Sequence, residues 1–194
     1  MSFYSTHSAR LAPLYDAIPF DRIHAPLLNW LPYPPAQVLD VGAGSGRDAA
    51  WFAAKGYEVV AVEPVKEMRD HAQAAHPHPN IRWIADSLPS LTKVIDAGLQ
   101  FDLIHLSAVF MHLPKPERDR AFRKLTLLLN PGGRIHITLR DGPVEPERGL
   151  HDVPDAEMEA LAREHGALIE FKHTSADSMD RPEVSWRHFL FRLP

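Results

Sequence analysis

Three glycines and two aspartates lie in the segment VLDVGAGSGRD, between an apolar run and a helical pattern. Glycine lets the backbone turn sharply and approach a bound molecule closely, and the first N–H groups of a helix attract negative charge. Asp40, Gly42, Gly44 and Gly46 therefore predict a loop that binds a small charged ligand at the end of a strand. A glycine turn without a ligand is the alternative.

The spacing of these glycines separates the loop from two common nucleotide-binding loops. The dinucleotide fingerprint Gly-x-Gly-x-x-Gly requires a glycine where this chain has Arg47. A phosphate-binding loop requires Lys followed by Ser or Thr, which this segment lacks. A nicotinamide oxidoreductase and a P-loop protein are therefore disfavoured.

A further acidic side chain, Glu63, ends the next apolar run, YEVVAVE. A carboxylate at the end of that strand can accept hydrogen bonds from both hydroxyl groups of a ribose. Together with the glycine loop, Glu63 predicts a nucleoside site. Taken alone, it is equally consistent with a solvated strand end.

Histidines and one tyrosine supply the candidate acid–base groups. His112 follows the run FDLIHLS, where a structural histidine that caps local backbone is one interpretation. His151 and Arg148 lie in the loop after GRIHITL, near the ends of the strands, with an ordinary surface loop as the alternative. Tyr15 lies in the N-terminal segment, where packing in the core or in the lid is one interpretation. His105, within a strand, is expected to be a packed core residue.

The sequence contains no convincing set of neighbouring metal ligands. His76 and His78 have a suitable spacing, but two prolines and the lack of a third nearby ligand favour a solvated loop. We therefore predict no metal. Cysteine is absent, which excludes disulfide bonds, a cysteine nucleophile and cysteine-ligated zinc or iron–sulfur clusters.

Length and composition indicate one ordinary globular domain. The chain has 194 residues, of which 45% are hydrophobic and 24% charged, and its formal charge is −4. No run of basic residues suggests a large nucleic-acid surface. Because the first residues lack a basic start with an apolar stretch, and no stretch is long enough to span a membrane, we expect a cytoplasmic protein.

The elements that must position these residues alternate along the chain. Short β-branched runs predict strands, and helical patterns lie between them. The strands are QVLDV, YEVVAV, NIRWIA, FDLIHLS and GRIHITL, and the helices are RDAAWFAAKG, VKEMRDHAQAA and PERDRAFRKLTLLL. A helix from about Asp155 to His165 and two antiparallel strands, ALIEFKH and SWRHFLFRL, are expected to follow. Aromatic residues and prolines up to about Pro35 predict short helices over the site.

The segment VLDVGAGSGRD resembles the first motif of the class I S-adenosylmethionine-dependent methyltransferases, in which an acid precedes Gly-x-Gly-x-Gly by two residues. Glu63, NIRWIADSLP and FDLIHLSAVFMHLP resemble later motifs of that family, in the right order. The resemblance implies an α/β, Rossmann-like fold with a seven-stranded, mostly parallel sheet, an antiparallel C-terminal strand and an N-terminal helical lid. We expect a single domain over residues 1–194, with a lid (1–35), a cofactor-binding core (36–140) and a C-terminal helix and strand pair (141–194).

The resemblance also implies roles for individual residues. The cofactor would be S-adenosylmethionine and the product S-adenosylhomocysteine, with Glu63 on the ribose, Asp86 on the adenine amino group and Ser107 beside the methionine part. A helix cap is the alternative for Asp86. The expected cofactor-binding residues are Asp40, Gly42, Ala43, Gly44, Gly46, Arg47, Asp48, Glu63, Pro64, Met68, Asp86, Ser87, Leu88, Ser107 and Ala108. Related enzymes often carry a histidine at the place of His112, which implies acceptor contact or a general base, and several have a tyrosine that closes over the cofactor, as Tyr15 would. The expected catalytic residues are His112, His151 and Tyr15.

Methyl transfer from a sulfonium needs a general base only where the acceptor carries a proton at the reacting atom. The sequence SAVF at the fourth motif differs from the Asp-Pro-Pro or Asn-Pro-Pro pattern of DNA base methyltransferases, so a DNA acceptor is disfavoured. The acidic balance and the aromatic lid favour a small-molecule acceptor. Protein or RNA methylation and a non-catalytic S-adenosylmethionine sensor are the alternatives. We expect no membrane partner, and a monomer or a homodimer.

Overall fold

The computed structural model describes residues 3–143 and 145–194. The strands are β1 (Gln37–Val41), β2 (Glu58–Val62), β3 (Ile81–Ile84), β4 (Phe101–Leu106), β5 (Leu129–Asp141), β6 (Leu168–Ala176) and β7 (Ser185–Arg192). The α-helices are α1 (Phe3–Asp16), α2 (Phe20–Ile23), α3 (Arg47–Ala54), α4 (Lys66–Ala75), α5 (Thr92–Asp96), α6 (Lys115–Leu127) and α7 (Asp155–Glu164). Turns of 3₁₀ helix span Ala25–Trp30, Phe110–His112 and Pro146–Arg148.

The strands form one seven-stranded sheet in the order β3-β2-β1-β4-β5-β7-β6. Strands β1 to β5 are parallel to one another, whereas β7 runs antiparallel to both β5 and β6. The expected fold class and the antiparallel pairing of the last two strands are confirmed. Because the chain moves outward from β1 to β3 and then returns to place β4 on the other side of β1, the loops after β1 and β4 diverge and leave a crevice between them.

Both faces of the sheet are buried, which is why its central strands are almost continuously apolar. On one face, Leu39 and Ile104 belong to the larger core cluster, with Phe122 and Leu125 from α6. On the other face, the smaller cluster contains Val38 and Leu103 together with Phe52 from α3 and Phe20 from α2. The alternation of side chains along each strand thus fixes which residues face each helical layer.

Two elements differ from the sequence prediction. The helical pattern of PERDRAFRKLTLLL suggests a helix that continues to Asn130, but α6 ends at Leu127 and Leu129 already pairs with Phe101 in β4. Leu128 and Leu129 are still buried, so the apolar pattern is correct and only its assignment to a helix is wrong at that end. Helix α5, with five residues, has too little apolar periodicity to be predicted.

The N-terminal segment contains one longer helix as well as the expected short ones. Helix α1 has 14 residues and packs along α4, where Leu11 and Ala12 contact Met68. Within residues 3–143 and 145–194, no helix is both long and apolar enough to cross a membrane.

Two leucines on α6 test the assignment of its buried face. Leu125 is fully buried, whereas Leu127 is 60% exposed. We expect Leu125→Ala to lower the free energy of unfolding by about 2–5 kcal/mol, because it leaves a cavity in the core. The control Leu127→Ala should change it by less than about 0.5 kcal/mol. Urea denaturation of both variants measures this, and equal effects would contradict the packing of α6.

Candidate active site

A cavity of about 880 Å³ lies at the carboxyl ends of the parallel strands, which is the usual place for a ligand in an open α/β sheet. The glycine loop between β1 and α3 forms one wall, and α1 covers the opposite side. All fifteen expected cofactor-binding residues except Gly46 line this cavity. The residues that the sequence assigns to one binding site therefore also lie together in the folded chain.

The three glycines of the loop have positive φ angles of 70°, 55° and 88° at Gly42, Gly44 and Gly46. A Cβ atom on Gly42 would lie 2.5 Å from Val109, and one on Gly46 would lie 2.9 Å from Ala72. A Cβ atom on Gly44 would meet nothing closer than a backbone oxygen at 3.9 Å. Gly42 and Gly46 are thus required by packing, whereas Gly44 keeps the cavity side of the loop open.

Glu63 joins the end of β2 to the glycine loop. Its Oε2 atom accepts a hydrogen bond from the Gly44 N–H at 2.9 Å, and its Oε1 atom accepts one from the Val65 N–H at 2.8 Å. The side chain is only 6% exposed, and this burial raises the pKa of Glu63 while the two backbone donors oppose the rise. Each carboxylate oxygen keeps a further lone pair on the cavity side for a hydroxyl donor.

Asp40 presents an unsatisfied carboxylate oxygen. It is 1% exposed, lines the cavity, and its Oδ2 atom has no hydrogen-bond partner among the described residues. Burial raises the pKa of Asp40 to about 7. A buried acceptor without a donor is costly, and a positively charged or N–H-bearing ligand group in the cavity would satisfy it.

Asp86 lines the cavity but is also the cap of α5. Its Oδ2 atom accepts hydrogen bonds from the N–H groups of Lys93 and Val94 at 2.7 and 3.2 Å, and its Oδ1 atom accepts one from the Ser87 N–H at 2.9 Å. The capping role, named as the alternative from the sequence, is thus present. The contact with an adenine amino group stays a prediction that would use the remaining lone pair of Oδ1.

Arg47 and Asp48 form a buried ion pair at the start of α3. The Arg47 guanidinium donates to both carboxylate oxygens of Asp48, at 2.7 and 3.0 Å, and also to the backbone oxygen of Tyr15 at 3.1 Å. Asp48 further accepts hydrogen bonds from the Nε2 atoms of His24 and His105, each at 3.1 Å. These donors hold the pKa of Asp48 well below its usual range despite the cost of burial. Asp48 therefore positions the loop rather than offering a free group to a ligand.

His112 lies across the cavity from the glycine loop with its tautomer fixed. Its Nδ1–H donates to the carbonyl oxygen of Arg148 at 3.1 Å, so Nε2 accepts the hydroxyl of Tyr4 at 3.2 Å. Burial lowers the pKa of His112, which favours the neutral imidazole with an unprotonated Nε2. Tyr4 was not singled out by the sequence, because its partner is 108 positions away and no local pattern links the two.

The other two candidate catalytic residues have different positions. Tyr15, on α1, lines the cavity, and burial raises its pKa. His151 is exposed and lies outside the cavity lining, because the preceding turn Pro146–Arg148 forms the wall there. Its backbone N–H instead donates to Met111 at 2.8 Å. The fold therefore brings Tyr15 and His112 together but leaves His151 outside. His105 is fully buried, as expected.

The sheet order, the glycine loop after β1 and the acid at the end of β2 define a Rossmann-like domain built to bind a nucleoside-containing cofactor. The family model described as "Methyltransferase domain" matches residues 38–133. An uncharacterized methyltransferase of Mycobacterium tuberculosis is 34% identical over 167 residues, which are 84% of this chain and 63% of that protein. The chain thus spans 63% of the length of this curated relative.

Solved structures show the same fold. A crystal structure of an S-adenosylmethionine-dependent methyltransferase from Mesorhizobium loti has a TM-score of 0.68 at 19% identity, with 87% of this chain and 96% of that chain covered. A Burkholderia thailandensis 1,6-didemethyltoxoflavin-N1-methyltransferase with bound S-adenosylhomocysteine has a TM-score of 0.68 at 18% identity, with 100% and 91% covered. This chain belongs to the class I S-adenosylmethionine-dependent methyltransferases, as its motifs predict.

The variant Gly44→Ala tests whether the cofactor binds against the glycine loop. Gly44 and Gly132 both have positive φ angles and room for a Cβ atom, so alanine should strain the backbone similarly, by about 1–2 kcal/mol, at either position. We expect Gly44→Ala to weaken S-adenosylhomocysteine binding at least about tenfold, since the methyl group enters the ligand space. The control Gly132→Ala, far from the cavity, should leave affinity unchanged. Calorimetry that finds the same affinity in both variants would contradict this placement.

Proposed function

We propose that this protein transfers a methyl group from S-adenosylmethionine to a small molecule bound beneath α1. The observation that carries the proposal is one covered cavity with two chemically distinct sides. Asp40 and Glu63 lie on one side, and the Tyr4–His112 pair lies on the other. A cofactor and an acceptor bound on these two sides would meet in the middle of the same cavity.

The side formed by Asp40 and Glu63 suits the cofactor. The Glu63 carboxylate is fixed by two backbone N–H groups and has lone pairs left for two ribose hydroxyls. The unpartnered Oδ2 atom of Asp40 suits the ammonium group of the amino acid part. When bound, S-adenosylmethionine supplies a methyl group on a positively charged sulfur that leaves neutral. The chain therefore needs chiefly to orient the acceptor and exclude water.

The side formed by α1 and the turn Pro146–Arg148 suits the acceptor. Tyr4, Tyr15 and His112 line it, together with apolar side chains such as Leu14 and Leu150. In this proposal an acceptor displaces the Tyr4 hydroxyl from His112, and the freed Nε2 atom takes the proton of an acceptor O–H or N–H group. The low pKa of His112 keeps that nitrogen unprotonated at neutral pH.

The cover over the cavity favours a small acceptor over a macromolecule. Helix α1 is attached at both ends: Tyr4 donates to His112, and the Asp16 carboxylate accepts from His71 and His76 at 3.0 and 3.2 Å. A protein or RNA segment could enter the cavity only if this helix were displaced.

Transfer of a methyl group to any acceptor would also rule out the alternative that the protein is a non-catalytic sensor.

A labelling experiment tests the proposal. The protein is incubated with deuterated-methyl S-adenosylmethionine and a bacterial metabolite extract, and separately with bacterial protein and RNA. We expect the label in the small-molecule fraction. Label confined to protein or RNA, or no label in any fraction, would contradict the proposed acceptor class.

With the labelled acceptor in hand, His112→Asn should lower kcat about 10²-fold or more while cofactor affinity stays unchanged. The control His151→Asn, an exposed histidine in the neighbouring loop, should leave kcat unchanged. Equal kcat for both variants would remove His112 from the proton transfer.

The raised pKa of Asp40 predicts how cofactor affinity depends on pH. Its pKa of about 7 means that the carboxyl is partly protonated in the free protein, and a cationic ligand favours the charged form. Affinity should therefore rise from about pH 5.5 to about pH 7, by up to about tenfold per unit, with proton release on binding. Calorimetry in buffers of different ionisation enthalpy measures this. Asp40→Asn should abolish the rise, and a rise that persists there would belong to another group.

A further inference from the structure

Four buried histidines form a cluster at one face of the sheet, and one of them, His188, also lines the cavity. His105 on β4 pairs with His136 on β5, and His188 on β7 pairs with Thr138, two residues further along β5. His24, between α2 and the following 3₁₀ helix, packs over them, with its ring 4.7 Å from that of His105. All four are at most 1% exposed.

Their hydrogen bonds fix where the protons are. The Asp48 carboxylate accepts from the Nε2–H groups of His24 and His105. A neutral imidazole has one N–H, so Nδ1 of His105 must accept, and it takes the Nδ1–H of His136 at 3.0 Å. This leaves His136 Nε2 as an acceptor, and it takes the Nδ1–H of His188 at 3.2 Å. A metal ion bound by both nitrogens would replace this hydrogen bond, with the His188 proton moved to Nε2 beside Ser175 Oγ.

One nitrogen in this cluster has no partner. His24 Nδ1 is buried and has no hydrogen-bond partner among the described residues, and its neighbouring Nε2 already holds the proton. Burying a lone pair without a hydrogen-bond donor costs free energy. A bound cation at this position would interact with the lone pair and remove that cost. One ring nitrogen from each of His24, His136 and His188 lies within 4.8 Å of the others.

The distance between two of the ring nitrogens and the outer partners of all three histidines fit a metal ion. Two nitrogens bound tetrahedrally to Zn²⁺ at about 2.0–2.1 Å lie about 3.3 Å apart, close to the 3.2 Å between His136 Nε2 and His188 Nδ1. Histidines that bind metals have their second nitrogen held by another group. Here Asp48 holds His24, His105 holds His136, and Ser175 Oγ lies 3.1 Å from His188 Nε2.

A second arrangement of ligands is disfavoured by charge. One ligand atom from each of His24, Asp48 and His105 also lies within 4.8 Å of the others. However, the guanidinium of Arg47 donates to the same Asp48 oxygen, at 3.0 Å, that both histidines contact. A metal ion at that oxygen would be repelled by the arginine.

We propose that His24, His136 and His188 form a three-histidine site for a divalent transition-metal ion of the Zn²⁺ class. Three neutral imidazoles suit Zn²⁺ and its neighbours in the first transition row. His188 and Ser175 line the cavity, so water or an oxygen or nitrogen atom of the acceptor takes the fourth position. The site differs from the expectation of no metal, since its ligands are far apart in the sequence. Metal binding does not depend on methyl transfer, so the two proposals fail independently.

Co²⁺ binding to the untagged full chain tests the site directly. The protein is treated with a chelator, dialysed and titrated with Co²⁺, and visible absorption reports coordination. We expect one Co²⁺ per chain, with the intense absorption of a tetrahedral site and displacement by Zn²⁺. A weak octahedral spectrum, or only several weak sites, would overturn the proposal and leave a metal-free hydrogen-bonded histidine row.

Variants identify the ligands. His24→Gln and His188→Gln should each weaken Co²⁺ binding more than about 100-fold, beyond the 10–100-fold expected for an outer partner. The control His173→Asn replaces an exposed histidine that pairs with His188 across β6 and β7 and should leave binding unchanged. If a ligand variant fails to fold without metal, Ser175→Ala, which keeps all three ligands, should still weaken binding about tenfold. Unchanged affinity in folded His188→Gln, or in Ser175→Ala where the ligand variants do not fold, would overturn the assignment.

Discussion

The buried carboxylate of Asp48 is the interaction on which the site depends. Removing a carboxylate from water costs several kcal/mol, and only good hydrogen-bonding geometry compensates for it. Asp48 obtains this from Arg47, His24 and His105, which come from the start of α3, from the N-terminal segment and from β4. One side chain therefore holds together the glycine loop, the segment that covers the cavity and the centre of the sheet.

Arg47 extends this interaction to the cover. While paired with Asp48, its guanidinium also donates to the backbone oxygen of Tyr15 near the end of α1. The loop that lines the cofactor side and the helix that lines the acceptor side thus share one cation.

The sequence predicted the sheet and many of the residues that line the cavity, for reasons that are local. Gly42, Gly44 and Gly46 follow directly from a strand that must turn back, and Glu63 follows from the end of the next strand. The partners of His112 and His24 were not predictable in this way, since they depend on which distant strands and helices become neighbours. The alternation of side chains along β4 predicts that His105 is buried. It does not predict which residues His105 contacts.

The histidine row illustrates why burial alone is a poor guide to function. Leu103 and Leu190 lie on the same face of the sheet as His105 and His188, so an apolar side chain fits that layer. A histidine there gives up apolar contacts and requires hydrogen-bond partners for two nitrogens. A histidine in this layer avoids an energetic cost only if its neighbours supply hydrogen-bond partners. The four histidines obtain such partners from Asp48 at one end of the cluster and from Ser175 at the other. Among the described residues His24 Nδ1 has no hydrogen-bond partner, so their hydrogen bonds do not complete the cluster, and the proposed cation would.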